Sequence, residues 1–371
     1  MRKMKLIALK DVCKINMGQS PNSSSYNDYG DGMPFFQGNA DFGERYPITR
    51  VWCNTPTKIA QAEDILISVR APIGALNYAK EECCIGRGLA AITPDRNKVS
   101  QDFIYWALKG KKAELNDKGN GSTFKAISRK ILEETMIPDI NFEQQHKCAE
   151  NLEKIYGIIQ NRRKELLALD DLIKARFVEM FGDSASNEKG WKMNTFGDIC
   201  TVRQGLQIPI SKRLTEYEED SYEYITVQYL HGGKEKEYIK SPKESVKCTK
   251  DDILMTRTGN TGMVVTNVEG VFHNNFFLID FDRERFEKDF LVEYLNLDLI
   301  QADITRRAGT STIPDLNHGE FYKIKVFEPP IDLQKEFDEF KMQVDKSKVA
   351  VQKALDETQT LFDSLMQEYF G

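Results

Sequence analysis

Histidine is scarce in this chain. Only four occur in 371 residues, His146, His231, His273 and His318, and no H-E-x-x-H pattern forms, so a histidine-rich metal site is not expected. The G-x-x-x-x-G-K-[ST] phosphate loop is missing. Gly30-Asp31-Gly32 and Gly86-Arg87-Gly88 begin like a dinucleotide fingerprint, but neither continues as G-x-G-x-x-G. Asp-Pro-Pro-Tyr and Asn-Pro-Pro-Phe, which an adenine methyltransferase sets against a flipped base, are absent. The carboxylate groups Glu133-Glu134 and Glu218-Glu219-Asp220 read as exposed charge. A chain without these motifs is expected to catalyse nothing alone and to bind no metal or cofactor of its own.

Long apolar runs are missing as well, and none approaches the ~20 residues of a membrane-spanning helix. The basic start Met1-Arg2-Lys3-Met4-Lys5 is followed by only Leu6-Ile7-Ala8-Leu9 before Lys10, too short for the apolar region of a signal peptide. The seven cysteines are odd in number and form no C-x-x-C pair, and the adjacent Cys83-Cys84 suit neither a simple bridge nor a zinc site. Cys13 and Cys200 sit among apolar neighbours and are expected as small core residues. A reduced, cytoplasmic chain is expected. With 51 Lys+Arg against 57 Asp+Glu the net charge is −6, so the surface is no general polycation and any nucleic-acid binding is local. Basic clusters do occur, at Lys109, Lys111 and Lys112, at Lys125, Arg129 and Lys130, at Arg162, Arg163 and Lys164, at Lys212 and Arg213, and at Arg306 and Arg307. Each alone is ordinarily a solvated helix face or loop.

What the chain does have is a duplication. Ser122-Thr123 recurs as Ser311-Thr312, and Phe181-Gly182 as Phe370-Gly371, at one and the same spacing. Leu9 to Gly18 corresponds to Phe196 to Gly205, and Glu63-Asp64-Ile65-Leu66-Ile67-Ser68 to Asp251-Asp252-Ile253-Leu254-Met255-Thr256. Their offsets are only slightly shorter, so insertions between the anchors are short. The Asp-Ile-Leu segments are each followed by a glycine, Gly74 or Gly262. A period of about half the chain exceeds that of solenoids and propellers and signals a doubled domain. Between the anchors the copies diverge: Phe35 to Gly43 faces Tyr224 to Gly232.

Each copy ends in a long helical pattern. Leu152, Tyr156, Ile159, Leu166, Ile173, Phe177 and Met180 follow steps of three and four around Arg163 and Asp170, and Phe337, Phe340, Val344, Val351, Ala354, Leu361 and Leu365 do so around Ser347 and Thr358. This is a coiled-coil seam with polar interruptions that fix register. Helices of about 40 residues, roughly 60 Å long, read as spacers. The expected division is a first domain over 1–141, a helix over 142–182, a second domain over 183–332 and a second helix over 333–371.

These residues resemble the specificity subunit of type I restriction-modification systems over essentially the full length. The matching pieces are Gly18-Gln19-Ser20-Pro21, the Phe35 to Gly43 stretch, the two Asp-Ile-Leu segments with Gly74 and Gly262, the Ser-Thr pairs, and Pro329-Pro330-Ile331-Asp332-Leu333-Gln334. The last is similar to the family's Pro-Pro-Leu-x-Glu-Gln lead-in to a helix. The first copy departs from it, reading Ile140-Asn141-Phe142-Glu143-Gln144-Gln145, and Leu333 stands where the family usually has Glu.

The resemblance implies an α/β (α+β) fold: two pseudo-repeated target recognition domains, separated by two long antiparallel helices in a coiled coil with pseudo-two-fold symmetry. It implies that each domain reads one half of an asymmetric, bipartite site in double-stranded DNA. The partners it implies are two adenine methyltransferase subunits using S-adenosylmethionine and restriction subunits, the translocase and nuclease, using ATP and magnesium. Those cofactors would sit on the partners and not on this chain. A coiled-coil scaffold that grips proteins without reading DNA is the competing expectation; it explains the helices but not two domains with divergent loops.

Base readout needs forked donors or amides, while hydroxyls and backbone N–H groups hold phosphates. The expected contacts are Gln19, Arg70, Arg87 and Lys125 in the first domain and Gln207, Arg257, Asn260 and Arg306 in the second, mostly in loops after the shared strands. The plainer alternative for each is a surface residue or a structural ion pair. Ser122, Thr123, Ser311 and Thr312 either hold phosphate or cap a following helix. Tyr26, Tyr29, Phe42 and Tyr46 are candidates to line a groove, whereas Phe35 and Phe36 suit a strand core. Ile159 and Leu361 are the helix positions expected to support the methyltransferase platform.

Overall fold

Ile65-Leu66-Ile67-Ser68 is apolar at consecutive positions, without the alternation of a half-exposed strand, so it requires cover on both faces. In the computed structural model, which describes residues 5–120, 125–184, 186–230, 235–309 and 314–371, all four residues are buried. They lie in a four-stranded antiparallel sheet in the order Cys13–Met17, Leu89–Pro94, Ile65–Ser68, Leu76–Tyr78. Leu66, Leu89 and Ala91 project to one side, where they meet Phe36, Ala60, Cys83 and Ile85 of a second, five-stranded sheet. That second sheet contains one parallel pair, Met33–Phe36 with Cys83–Ile85.

The second copy repeats this topology. Its antiparallel sheet runs Cys200–Gln204, Phe276–Phe281, Ile253–Thr256, Val264–Val265, and its second sheet again holds one parallel pair, Ser221–Ile225 with Gly270–Phe272. Here both faces are resolved residue by residue. Leu254, Phe276 and Leu278 pack on the second sheet, while Ile253, Met255, Phe277 and Ile279 pack on Phe290, Tyr294 and Phe321 of the helical layer. The period of two along each strand sorts these neighbours to opposite faces.

Phe142–Phe181 and Ile331–Phe370 form helices of 40 residues each. Two compact units result, Met1–Arg163 with Gln352–Gly371 and Lys164–Val351, so each unit holds part of both helices. In the first unit Asn151 donates to the Tyr369 hydroxyl at 3.4 Å, Tyr156 meets Phe362 with ring centroids 6.0 Å apart, and Arg162 donates to the Ala354 carbonyl and to Thr358. In the second, Lys348 pairs with Asp170 at 2.6 Å, Arg176 with Glu336 at 3.0 Å, and Phe177 with Phe337 at 5.3 Å between centroids. Partner numbers fall as those of the first helix rise, so within each unit the segments run antiparallel.

The seam on the first helix is as expected, with Leu152, Ile159, Ile173, Phe177 and Met180 buried. On the second helix it requires a correction. Leu355 and Phe362 are buried there, whereas Leu361 is 51% exposed. Phe337 to Leu355 and Val344 to Phe362 are spaced as five turns of a straight helix, not as a sustained heptad, which drifts about 20° per repeat against 3.6 residues per turn.

All seven cysteines are free and buried, and burial pushes the Cys13 and Cys200 thiols up to about 12, with Asp95 and Asp280 adding to it. Among the described residues no helix is long and apolar enough to cross a membrane, and no group of three or more His, Cys, Asp or Glu side chains is placed to hold a metal ion.

Candidate nucleic-acid interface

The Asp-Ile-Leu strands carry a hydroxyl at their end in both copies, and its use is the same. Ser68 donates to the Pro72 carbonyl at 2.6 Å and accepts from the Ala75 N–H at 3.0 Å. Thr256 donates to the Asn260 carbonyl and accepts from the Met263 N–H at 2.9 Å. Gly74 and Gly262 turn back with φ of +84° and +92°, a region that favours glycine, and their N–H groups return to the Ser68 and Thr256 carbonyls, each at 2.9 Å. One hydroxyl and one glycine thereby cinch each loop to its strand.

In the first unit, backbone bonds join this loop, directly or in sequence, to four further segments. Gly18 N–H donates to Leu89 at 2.9 Å and Gln19 N–H to Ile85 at 3.0 Å. Gly86 N–H donates to Phe36 at 2.8 Å, Gly88 N–H to Gln37 at 3.1 Å and Val69 N–H to Gly88 at 2.9 Å. Ile127 N–H donates to Val69 at 2.9 Å and Ala71 N–H to Lys125 at 3.2 Å, with Arg70 bridged to Ala126. The backbones approach too closely for a side chain at two of these positions: a Cβ on Gly18 would stand 2.2 Å from the Gly86 carbonyl oxygen and one on Gly88 2.4 Å from that of Gln37. Gln19, Arg70, Arg87 and Lys125, all exposed, are carried by this one hydrogen-bonded set of segments. Among the described residues none of the three cations is in an ion pair, so their charge is directed at solvent.

The second unit builds the same frame with other side chains. Gly205 N–H donates to Phe276 at 3.2 Å, Leu206 to Phe272 at 3.1 Å, His273 to Ile225 at 3.0 Å, Arg257 to Asn275 at 2.7 Å and Leu316 to Arg257 at 2.9 Å. Matching bond for bond, Leu206 takes the place of Gln19, Gln207 that of Ser20, Asn274 that of Arg87, and Arg257 that of Val69. The nominated residues of the two copies therefore do not occupy equivalent positions. Arg257 donates through Nε and Nη2 to both oxygens of Asp315, at 2.9 and 2.8 Å, and its side chain is 19% exposed. Arg306 pairs with Asp303 on its own helix, and Arg307 reaches Asp303 at 2.7 Å and Glu320 at 3.3 Å. Gln207 and Asn260 are exposed.

Burial together with the nearby Arg213 cation holds His273 below the usual imidazole range. Asn274 keeps a buried Oδ1 with no hydrogen-bond partner among the described residues. Ser122, Thr123, Ser311 and Thr312 lie outside the described residues. Of the aromatic candidates, Tyr29 and Tyr46 are exposed, whereas Tyr26 stacks on Phe35 at 4.7 Å and Phe42 packs on the core. Phe35 and Phe36 are buried as expected. Two polar residues on the same edge, Ser20 and Gln37, escaped the sequence reading. The signal for them was their company: each adjoins a glycine-rich segment of the divergent surface.

The family model for the type I restriction modification DNA specificity domain matches this chain twice, over residues 1–168 and 188–358. The chain is 47% identical over 152 residues to the type I restriction enzyme MjaX specificity subunit of Methanocaldococcus jannaschii, a match covering 41% of this chain and 36% of that protein. It is 26% identical over 251 residues to the MjaIX specificity subunit of the same organism, covering 61% of this chain and 57% of the relative. The chain thus spans between about a third and three fifths of the length of these curated relatives. Its fold is that of the type I restriction-modification S subunit from M. genitalium, with a TM-score of 0.64 at 17% identity over 100% of this chain and 97% of that one.

Proposed function

We propose, for a chain that belongs to the family of the type I restriction modification DNA specificity domain, that it is the DNA specificity subunit of a type I restriction-modification complex. Each unit reads one half of an asymmetric, bipartite target in double-stranded DNA, with unread bases between the halves. The observation that carries this reading is one hydrogen-bonded frame built twice, with different exposed side chains on its edge. Identical frames dock alike; different amides and guanidiniums recognise different bases.

In the first unit Gln19, Arg70 and Arg87 address base edges, and Lys125, with Ser122 and Thr123 beside it in the chain, addresses phosphate. In the second, Gln207 and Asn260 address bases, with Ser311 and Thr312 toward phosphate. Arg257 and Arg306 reach DNA only by exchanging a carboxylate for a phosphate or base; until then Arg257 fixes the 257–262 loop against Asp315.

The chain itself performs no chemistry. It places two adenine methyltransferase subunits, which bring S-adenosylmethionine and flip the target base in their own pockets. It also places restriction subunits that use ATP and magnesium. The exposed Leu361 is a docking position for the methyltransferase, and the buried Ile159 secures the helix that carries such positions. Its seven free thiols suit the reducing cytoplasm.

The test is a selection by the full chain from randomised duplexes. Enrichment of one split, asymmetric sequence, with affinity falling steeply as salt rises, is expected. A chain that binds no duplex, or all duplexes equally, is a protein scaffold and not a reader.

A further inference from the structure

We infer that Gln37 is a base-reading residue of the first unit, held in position by Ser20 and by the bare backbone of Gly86, and that the base it selects is adenine. This rests on the DNA-reading function proposed above and adds a residue and a base to it.

Gln37 is fixed at every point but one. Its N–H donates to Asp41 Oδ2 at 2.7 Å, and its carbonyl accepts from Gly88 at 3.1 Å. Its side-chain Oε1 accepts from Ser20 Oγ at 3.0 Å, and that same Oγ accepts from the Arg87 N–H at 3.3 Å. Below the amide lies Gly86, where a Cβ would come 2.5 Å from Gln37 Oε1 and 2.9 Å from its Cδ. Gly86 has no left-handed backbone angle, so the turn does not require glycine there. The space does, and the Gln37 amide fills it.

Yet Gln37 is exposed, and no hydrogen bond uses its Nε2 among the described residues. A long, flexible amide on a surface ordinarily loses rotamer freedom when it binds; this one has been ordered beforehand. It presents a free N–H donor beside an oxygen with a lone pair to spare. That donor and acceptor side by side match the N7 acceptor and N6 donor of adenine in the major groove. Arg87, on the next segment, lies on the same hydrogen-bonded edge.

The second unit has no counterpart. Thr226 stands in the place of Gln37 and is 9% exposed, its hydroxyl turned in to accept from the Tyr229 N–H at 3.1 Å. His273 replaces Gly86, which removes the bed on which such an amide lies. The effect of Gln37 is therefore confined to one half-site.

The experiment is selection from a fully randomised duplex library by the full wild-type chain and by Q37L, Q37E and S20A. Wild type is expected to enrich a split sequence with a fixed adenine in one half. Q37L then loses the preference at that position alone, with affinity for the wild-type site down about 5- to 150-fold. Q37E shifts the preference there toward cytosine, whose amino group a carboxylate accepts, and S20A blurs the same position by a smaller factor. A Q37L chain selecting the wild-type sequence, or weakened equally on all sequences, overturns the inference while leaving the proposed function standing. A wild-type chain selecting no sequence overturns both. Should Q37L fail to fold, Q37E and S20A decide the matter at that position.

Discussion

Gln145 and Gln334, at corresponding places in the two copies, make the same buried connection in their two units. Gln145 Oε1 accepts from Ser100 N–H at 2.7 Å while its Nε2 donates to the Ile140 carbonyl at 2.8 Å. Gln334 Oε1 accepts from Glu287 N–H at 2.9 Å while its Nε2 donates to Arg285 and Pro329 at 3.0 and 2.9 Å. Ser100 and Glu287 are the N-caps of the core helices Gln101–Gly110 and Lys288–Asn296. Each glutamine thus ties the start of a long helix to the start of a core helix by accepting from the N-cap residue's own N–H.

Replacing either glutamine with leucine leaves an N–H without its acceptor, buried at Ser100 and partly buried at Glu287, so Q145L is expected to cost about 1–3 kcal/mol and Q334L to fall toward the lower end of that range. Chemical denaturation measures this as a lower midpoint, with hydrogen exchange rising first at residues 100–104 or 287–291 respectively.

The two positions proposed for the methyltransferase platform differ in burial. Ile159 is 1% exposed and Leu361 51%, so I159D buries a charge and is expected to destabilise the chain by about 3 kcal/mol. L361D is expected to leave stability within about 0.5 kcal/mol and to abolish co-purification with the methyltransferase subunit. Thermal melts beside a pull-down distinguish the two.

The duplication, the long helices and the burial of Phe35 and Phe36 were legible because they depend on pattern within one stretch of chain. Gln19 and Arg87 were legible as neighbours of glycines and Arg70 as part of the loop after the shared strand, but the backbone bonds that bring these segments together with Lys125 join distant stretches of chain and were not. The Leu361 position was misread because a heptad template drifts against a straight helix over this length. The Arg257–Asp315 pair joins segments far apart in the chain, and the Ser20–Gln37 bond crosses a fold that only the glycine bed makes possible. Neither partner carries a mark of the other in sequence.

Arg70, Arg87 and Lys125 carry exposed charge with no carboxylate paired to it among the described residues. K125A, at the residue assigned to phosphate, is expected to reduce the slope of log affinity against log salt by about 1, whereas R70A and R87A, at residues assigned to base edges, are each expected to relax one position of the first half-site. Binding titrations at a series of salt concentrations read the slope directly, and an unchanged slope removes Lys125 from the backbone contacts.

Burial pushes the Asp338 carboxyl up to about 7, with Asp289 and Glu287 adding like charge against the pull of Lys341 and Lys288. Its Oδ1 has no hydrogen-bond partner among the described residues. A carboxyl whose pKa is higher folded than unfolded holds its proton better in the native state, so its stabilising share is complete below the ordinary value of 3.8 and is lost as pH rises to about 7. D338N is therefore expected to melt above wild type at pH 8, with the gap closing toward pH 4.

Genome-wide mapping of methylated adenines, in cells carrying this chain with its methyltransferase, tests the central claim most directly. One split and asymmetric sequence is expected, with a modified adenine in each half on opposite strands and with substitutions in the first unit altering one half alone. Methylation confined to an unsplit or palindromic sequence, or both halves changing together, contradicts the assignment of one half-site to each unit.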